Sequence, residues 1–171
     1  VINGSLTING DYVVLDGIEM LYNGWTTRTS AETGSNPSDM PISKTLIVNG
    51  DNCTIKRSYF HDLGNSISSN GAGITWEDCL MSHIGWDASD RGHGHGVYIQ
   101  NNGTRCYVKR CVFVANFGWG VHAYTEGSHI NNITIVDCVA YLAGVPAASG
   151  ANNILVGGFV VADSDEVIRK D

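Results

Sequence analysis

The sequence predicts an all-β fold: a parallel β-solenoid of about six coils, forming a single domain over residues 1–171. Three observations predict it. A strand–bend–strand segment recurs along the chain, its inward positions fall into columns of like residues, and no helical period separates the strands. The segments are YVVLDGIEM (12–20), NCTIKRSYF (52–60), GITWEDCLM (73–81), RCYVKRCVF (105–113), NITIVDCVA (132–140) and NILVGGFVV (153–161). Each reads as a four-residue strand, a two-residue bend and a second alternating strand. Most are followed by a glycine: Gly24, Gly64, Gly85, Gly118, Gly144.

The strands before the bend supply two inward columns. One is Val13, Cys53, Ile74, Cys106, Ile133, Ile154, and the next is Leu15, Ile55, Trp76, Val108, Ile135, Val156. After the bend come Ile18, Ser58, Cys79, Cys111, Cys138, Phe159 and then Met20, Phe60, Met81, Phe113, Ala140, Val161. Alternation with a period of two places these columns on one buried face, with like residues stacked about 4.8 Å apart in parallel strands.

The bends carry Gly17, Arg57, Asp78, Arg110, Asp137 and Gly158, preceded by Asp16, Lys56, Glu77, Lys109 and Val136. The charge sign alternates from coil to coil. Opposite charges one strand apart contribute only about 0.2–1 kcal/mol, but like charges would oppose the pairing, so the pattern selects the register. Lys56, Arg57, Lys109 and Arg110 therefore read as structural.

Parallel strands joined without helical crossovers specify a solenoid rather than a βαβ sheet. Length variation then falls into corner insertions. Two are expected: a Ser/Thr/Pro-rich excursion at 22–42 between coils one and two, and residues 86–95, WDASDRGHGH, at the end of coil three. All five cysteines fall on inward columns and read as buried thiols, although neighbouring coils would permit a Cys79–Cys111 or Cys111–Cys138 bridge.

Composition sets outer bounds. Hydrophobic residues make up 43% and charged residues 16%, with 21 glycines against 3 prolines, as strands joined by tight turns require. A net charge of −7 argues against a nucleic-acid partner, and no apolar run is long enough to span a membrane. The chain starts Val-Ile-Asn-Gly, which reads as a mature product or a piece of a longer β-helix. Sequons at Asn3, Asn52, Asn102 and Asn132 are expected by chance in a chain rich in Asn and Thr.

The coil pattern resembles the right-handed parallel β-helix proteins of the pectate-lyase-like superfamily. DRGHGHGVYIQN, FGWGVHAYTEG and NILVGG are more narrowly similar to an uncharacterised bacterial subgroup. DASDR, residues 87–91, is loosely similar to a motif of β-helix alginate epimerases. The aspartate-rich signature of polygalacturonases and the calcium-binding aspartate set of pectate lyases are absent. The resemblance implies a right-handed coil and an extracellular or cell-surface protein. It does not imply one reaction, because the superfamily holds lyases, hydrolases, epimerases, tailspikes and adhesins.

Aligned after its glycine, Gly96-Val97-Tyr98-Ile99-Gln100 falls beside Gly120-Val121-His122-Ala123-Tyr124. Val97, Ile99, Val121 and Ala123 then face the core, while Tyr98 and Gln100 stack beside His122 and Tyr124 outside. The corner carrying Trp86, Asp87, Asp90, Arg91, His93 and His95 feeds into this patch, with Trp119 and Glu126 flanking it. Rings that stack on sugar faces, mixed with groups that bind hydroxyls, suit a polysaccharide.

Were the patch catalytic, uronate β-elimination or epimerisation would need a base beside a carboxylate, donors to neutralise it and an acid for the leaving oxygen. His122 or His93 is the expected base, Tyr98 the acid, and Arg91 with Gln100 the carboxylate clamp. Hydrolysis would instead need two carboxyls about 5–10 Å apart, from Asp87, Asp90 and Glu126. No cofactor is implied. A divalent cation such as calcium is compatible but has no evident ligand set, and a transition-metal site at His93, His95 and His122 with Asp87 or Asp90 rests on a weak His-x-His signal.

Two other classes stay open: a non-catalytic glycan-binding, adhesion or tailspike-like module, and a structural solenoid subunit. The second would self-associate through coil ends that lack caps.

Overall fold

The computed structural model describes residues 1–124 and 130–147, together with the backbone of two further strands, Phe159–Val161 and Val167–Lys170. Among the described residues there is no helix. Eighteen short strands form three six-stranded parallel sheets, one per side of a β-helix of about six coils. The first sheet stacks Ile2–Asn3, Glu19–Leu21, Tyr59–His61, Leu80–Ser82, Val112–Val114 and Val139–Tyr141. The second stacks Leu6–Ile8, Leu46–Val48, Ile67–Ser69, Val97–Ile99, Val121–Ala123 and Phe159–Val161. The third stacks Val14–Asp16, Thr54–Lys56, Thr75–Glu77, Cys106–Lys109, Ile133–Val136 and Val167–Lys170.

The columns set this register. Leu15, Ile55, Trp76, Val108 and Ile135 are direct neighbours down the third sheet. Met20, Phe60, Met81, Phe113 and Ala140 run down the first. Phe60 meets Trp76 edge to face at 6.0 Å across the core. The Trp76 indole N–H donates to Ser69 Oγ at 3.1 Å, which accounts for a serine among the inward residues of the second sheet.

The strands of the second sheet complete each turn, beside the strand–bend–strand pair that supplies the other two sides. One expectation is corrected, the place of the sixth segment: Phe159, Val160 and Val161 pair with Val121, His122 and Ala123 in the second sheet, not beneath Val139–Tyr141. The strand below Ile133–Val136 is Val167–Lys170, so Arg169 and not Val156 stands in register with Ile135.

The bends are single left-handed residues stacked in columns. Between the third and first sheets they are Gly17, Arg57, Asp78, Arg110 and Asp137, with φ between 48° and 66°. Asp62, His83, Ala115 and Leu142 turn the next corner in the same conformation. The charge ladder closes over the first of these columns. Arg57 pairs with Asp16, Lys109 with Glu77 at 3.3 Å, and Arg110 with both Glu77 and Asp78, the latter at 2.8 Å. Arg110 holds the Glu77 and Asp78 carboxyls below their ordinary range.

All five cysteines are free thiols, four buried and Cys138 partly exposed. Hydrogen bonds to Cys138 and Cys79, together with burial, push the Cys111 thiol up, so it stays protonated.

The two insertions leave the coil and pack on each other. Trp86–Asp87 and Gly92–His93 form an antiparallel hairpin. The first excursion runs beside it: Ser30 N donates to Asp87 O and Asp87 N to Arg28 O, both at 2.8 Å. Trp86 and Ala88 pack with Met40, and Trp25 and Ile42 close this small second core. Arg28 fastens it to the coil. Its guanidinium donates to Gly85 O at 2.8 Å, to His83 O and to Asp62 Oδ1 at 2.6 Å, and lies over the rings of Trp25 and Phe117.

Candidate functional site

The alternation Gly92-His93-Gly94-His95-Gly96 has a steric cause. A Cβ on Gly92 would fall 2.1 Å from Phe117 O, one on Gly94 2.3 Å from Gly85 Cα, and one on Gly96 2.4 Å from Phe113 Cδ1. The backbone is pressed onto the coil at every second residue, and the intervening His93 and His95 line the opposite side. That side is a cleft of about 820 Å³.

The cleft floor is the outer face of the second sheet. Ile47, Ser68, Tyr98 and His122 stand one under another there, as successive register partners. Its walls come from both insertions, with Ser35, Asn36, Ile42 and Ser43 on one side and Arg91, His93 and His95 on the other. Asn65, Ser66, Trp119 and Tyr124 complete the lining. Four floor positions at about 4.8 Å spacing give a groove about 14 Å long.

Rings dominate the middle. His122 stacks on Tyr124 at 5.1 Å and meets Tyr98 edge-on at 5.2 Å. His95 stacks on Trp119 at 5.0 Å and meets His122 edge-on at 4.4 Å. The Trp119 backbone N–H donates to His95 Nδ1 at 2.9 Å, and His95 Nε2 lies 2.9 Å from His122 Nδ1. Burial, with the positive charge of Arg91 adding to it, pushes His122 down to about 4. Burial and the neighbouring His122 push His95 well below its ordinary value. Both rings are neutral at neutral pH.

His93 belongs to a different network. It is 4% exposed, stacks on Trp86 at 4.9 Å, and its Nε2 lies 3.1 Å from Asp90 Oδ1. A carboxylate accepts, so Nε2 carries the proton and Nδ1 is the bare nitrogen of the neutral ring. Burial pushes His93 down, and the bond to Asp90 offsets part of that. Asp90 also accepts from Arg91 Nη1 at 2.8 Å and from Gly34 N at 3.2 Å, while Arg91 Nη2 donates to Ser35 Oγ at 3.0 Å. Arg91 is thus tethered to both insertions but largely exposed.

No protein-family model, curated protein or solved structure matches the chain. The site stands on its own geometry.

Of the twelve residues singled out from the sequence, the structure brings Tyr98, His122, Tyr124, Trp119, His95, His93, Arg91 and Trp86 to one cleft. Asp90 orients two of them from behind. Asp87 is placed otherwise: it is 4% exposed and pairs through its backbone with the first excursion, away from the lining. Trp86 has no surface of its own, lying behind the His93 ring. Gln100 sits past the strand end, outside the cleft lining, its N–H donating to Ser69 O. Glu126 lies outside the described residues, so the two-carboxyl arrangement is left without its third member. Among the described residues no group of three or more His, Cys, Asp or Glu is set to hold a metal ion.

The sequence reading missed the polar part of the lining: Ser35, Asn36, Ser43, Asn65, Ser66 and Ser68. The only signal, and that for Ser35 and Asn36 alone, was the Ser/Thr/Pro richness of the excursion, which marks a loop but not what the loop covers.

Proposed function

We propose that the cleft binds a stretch of acidic polysaccharide on an extracellular or cell-surface β-helix. The resemblance of the coil pattern to the pectate-lyase-like superfamily accords with such a role. The observation that carries the reading is the composition of one groove: Tyr98, Tyr124 and Trp119 offer ring faces, Arg91 offers an exposed guanidinium, and six Ser and Asn residues share the lining. Aromatic faces bind pyranose rings, while a guanidinium pairs with a carboxylate.

The same groove would also suit a uronate lyase or epimerase. His93 Nδ1 is a bare nitrogen whose ring Asp90 orients through the other one, the arrangement that suits a general base. It would take the proton beside the sugar carboxylate while Arg91 neutralises the developing charge. The Tyr98 hydroxyl would give its proton to the leaving oxygen, and a double bond forms as the glycosidic bond breaks. Return of a proton to the opposite face would give epimerisation instead.

A second reading, binding without turnover, is favoured by the enclosure of His93, of which only 4% is exposed. Incubation with alginate, pectate and glycosaminoglycans, following the absorbance of the unsaturated product, separates the two. Turnover that is lost in His93→Ala supports the lyase. Binding with no product and no change at the sugar stereocentre leaves a glycan-binding module. No binding to any acidic glycan would overturn both.

A further inference from the structure

The hydrogen bonds beneath the cleft run in one direction. A backbone amide can only donate, so the Trp119 N–H fixes His95 Nδ1 as an acceptor. In a neutral ring the proton then sits on Nε2, which faces His122 Nδ1 at 2.9 Å. The reverse polarity would make His95 accept at both nitrogens, as an imidazolate. His122 must therefore accept at Nδ1 and carry its proton on Nε2. Among the described residues Nε2 of His122 has no hydrogen-bond partner, and the ring lines the cleft.

We infer that His95 is a positioning residue that locks His122 as a hydrogen-bond donor toward the cleft, so that His122 receives an anionic oxygen of the ligand and not a proton. The lock is rigid. His95 is sandwiched onto Trp119 with an interplanar angle of 16°, its backbone N–H donates to Ser66 Oγ at 2.8 Å, and Gly118 makes room for the ring. A Cβ on Gly118 would fall 2.3 Å from His95 Nδ1. Burial keeps both imidazoles neutral, so the direction of the bonds persists. This divides the histidines by role: His93 offers a lone pair and His122 offers a proton. The preference for an anionic oxygen rests on the acidic-polysaccharide reading, whereas the positions of the protons do not.

Glutamine and glutamate at position 95 separate the alternatives. In His95→Gln the amide oxygen accepts from Trp119 N–H and the amide nitrogen still donates to His122 Nδ1. In His95→Glu the carboxylate can only accept, so His122 must turn its proton to Nδ1 and leave Nε2 bare. Long-range 1H–15N correlation on protein labelled with 15N-histidine reads this directly. The expected result is Nε2-protonated His122 in the native protein and in His95→Gln, and Nδ1-protonated His122 in His95→Glu. Nδ1-protonated His122 in the native protein overturns the inference even if neither variant folds, as does an unchanged pattern in His95→Glu.

Titration with sodium glucuronate supplies the ligand arm. Affinity should survive within about threefold in His95→Gln and fall by about tenfold or more in His95→Glu, the scale of one lost bond to a charged group. Glucuronate binding to none of these proteins, with the expected proton positions, would remove the acidic-sugar reading and leave the positioning role standing. Equal loss in both variants would remove the role and leave the cleft.

Discussion

Trp86 and His93 lie face to face, 4.9 Å between ring centroids and 7° from parallel, as register partners of the hairpin that walls the cleft. The stack joins the small loop core to the one histidine, among the described residues, with a bare nitrogen and an acidic partner. Trp86 is wholly buried, yet its indole N–H has no hydrogen-bond partner. Trp86→Ala is expected to cost about 3–5 kcal/mol and to free His93. Trp86→Phe should cost far less, because losing an unpaired buried N–H offsets part of the lost contact area. Chemical denaturation of the two variants checks this: equal losses would refute the packing role.

Arg28 is the second fastening. Lysine keeps the charge but offers no planar fork, so it cannot serve His83 O, Gly85 O and Asp62 together. Arg28→Lys and Arg28→Ala should both release the first excursion. Faster amide exchange at Ser30 and Asp87, with protection of the third sheet unchanged, is the expected signature, and a global loss of about 2–3 kcal/mol accompanies it.

Stability should fall with acid. His93, His95 and His122 all bind protons less readily in the fold than their ordinary value of 6.5 allows, His122 titrating at about 4. Between those values the unfolded chain holds more protons, so stability is complete above about pH 6.5 and declines as pH drops toward 4. Each excess proton is worth about 1.4 kcal/mol per pH unit. Melting temperatures from pH 7.5 to 4 test it. His122→Gln should flatten the profile, and a native-protein profile that is already flat would contradict the burial argument.

The left-handed corners predict a gain. Ala115 sits at φ 51° with no polar side chain to justify it. Ala115→Gly should stabilise by about 0.5–1 kcal/mol, relief of the left-handed cost less the greater freedom of glycine when unfolded. Arg110→Gly shares the conformation but loses its exposed pairs with Glu77 and Asp78, so its change should lie near zero. Paired melting curves decide between corner strain and charge.

Side-chain alternation on either side of the charged bend made two sides of the coil legible, and the column of Leu15, Ile55, Trp76, Val108 and Ile135 gave their register. The second sheet was harder to read. It has no charged bend beside it to mark its place, and outward Thr7, Ser68 and inward Ser69 blur the apolar period. NILVGGFVV was misplaced because it matches the repeat in composition, whereas pairing is decided by which strand lies above it. The neighbourhood of Tyr98 and His122 followed from the glycine before each strand. The His95–His122 bond did not follow, because it depends on Gly118 and on the path of a loop that no period describes. Asp87 and Asp90, three residues apart and alike in sequence, diverge because one faces the first excursion and the other faces His93.

The docking of the two insertions changes how the molecule comes apart. A solenoid whose coils touch only their neighbours melts piecemeal from its ends. Here Thr29, from the excursion after coil one, forms a bridge with Asp87 of coil three, skipping the coil between them. That strap ties three coils into one cooperative block, so fraying stops at its border. The groove floor runs on past that block, from Ile47 and Ser68 to Tyr98 and His122, but the two insertions that wall it belong to the block, so the walls open only when the block does.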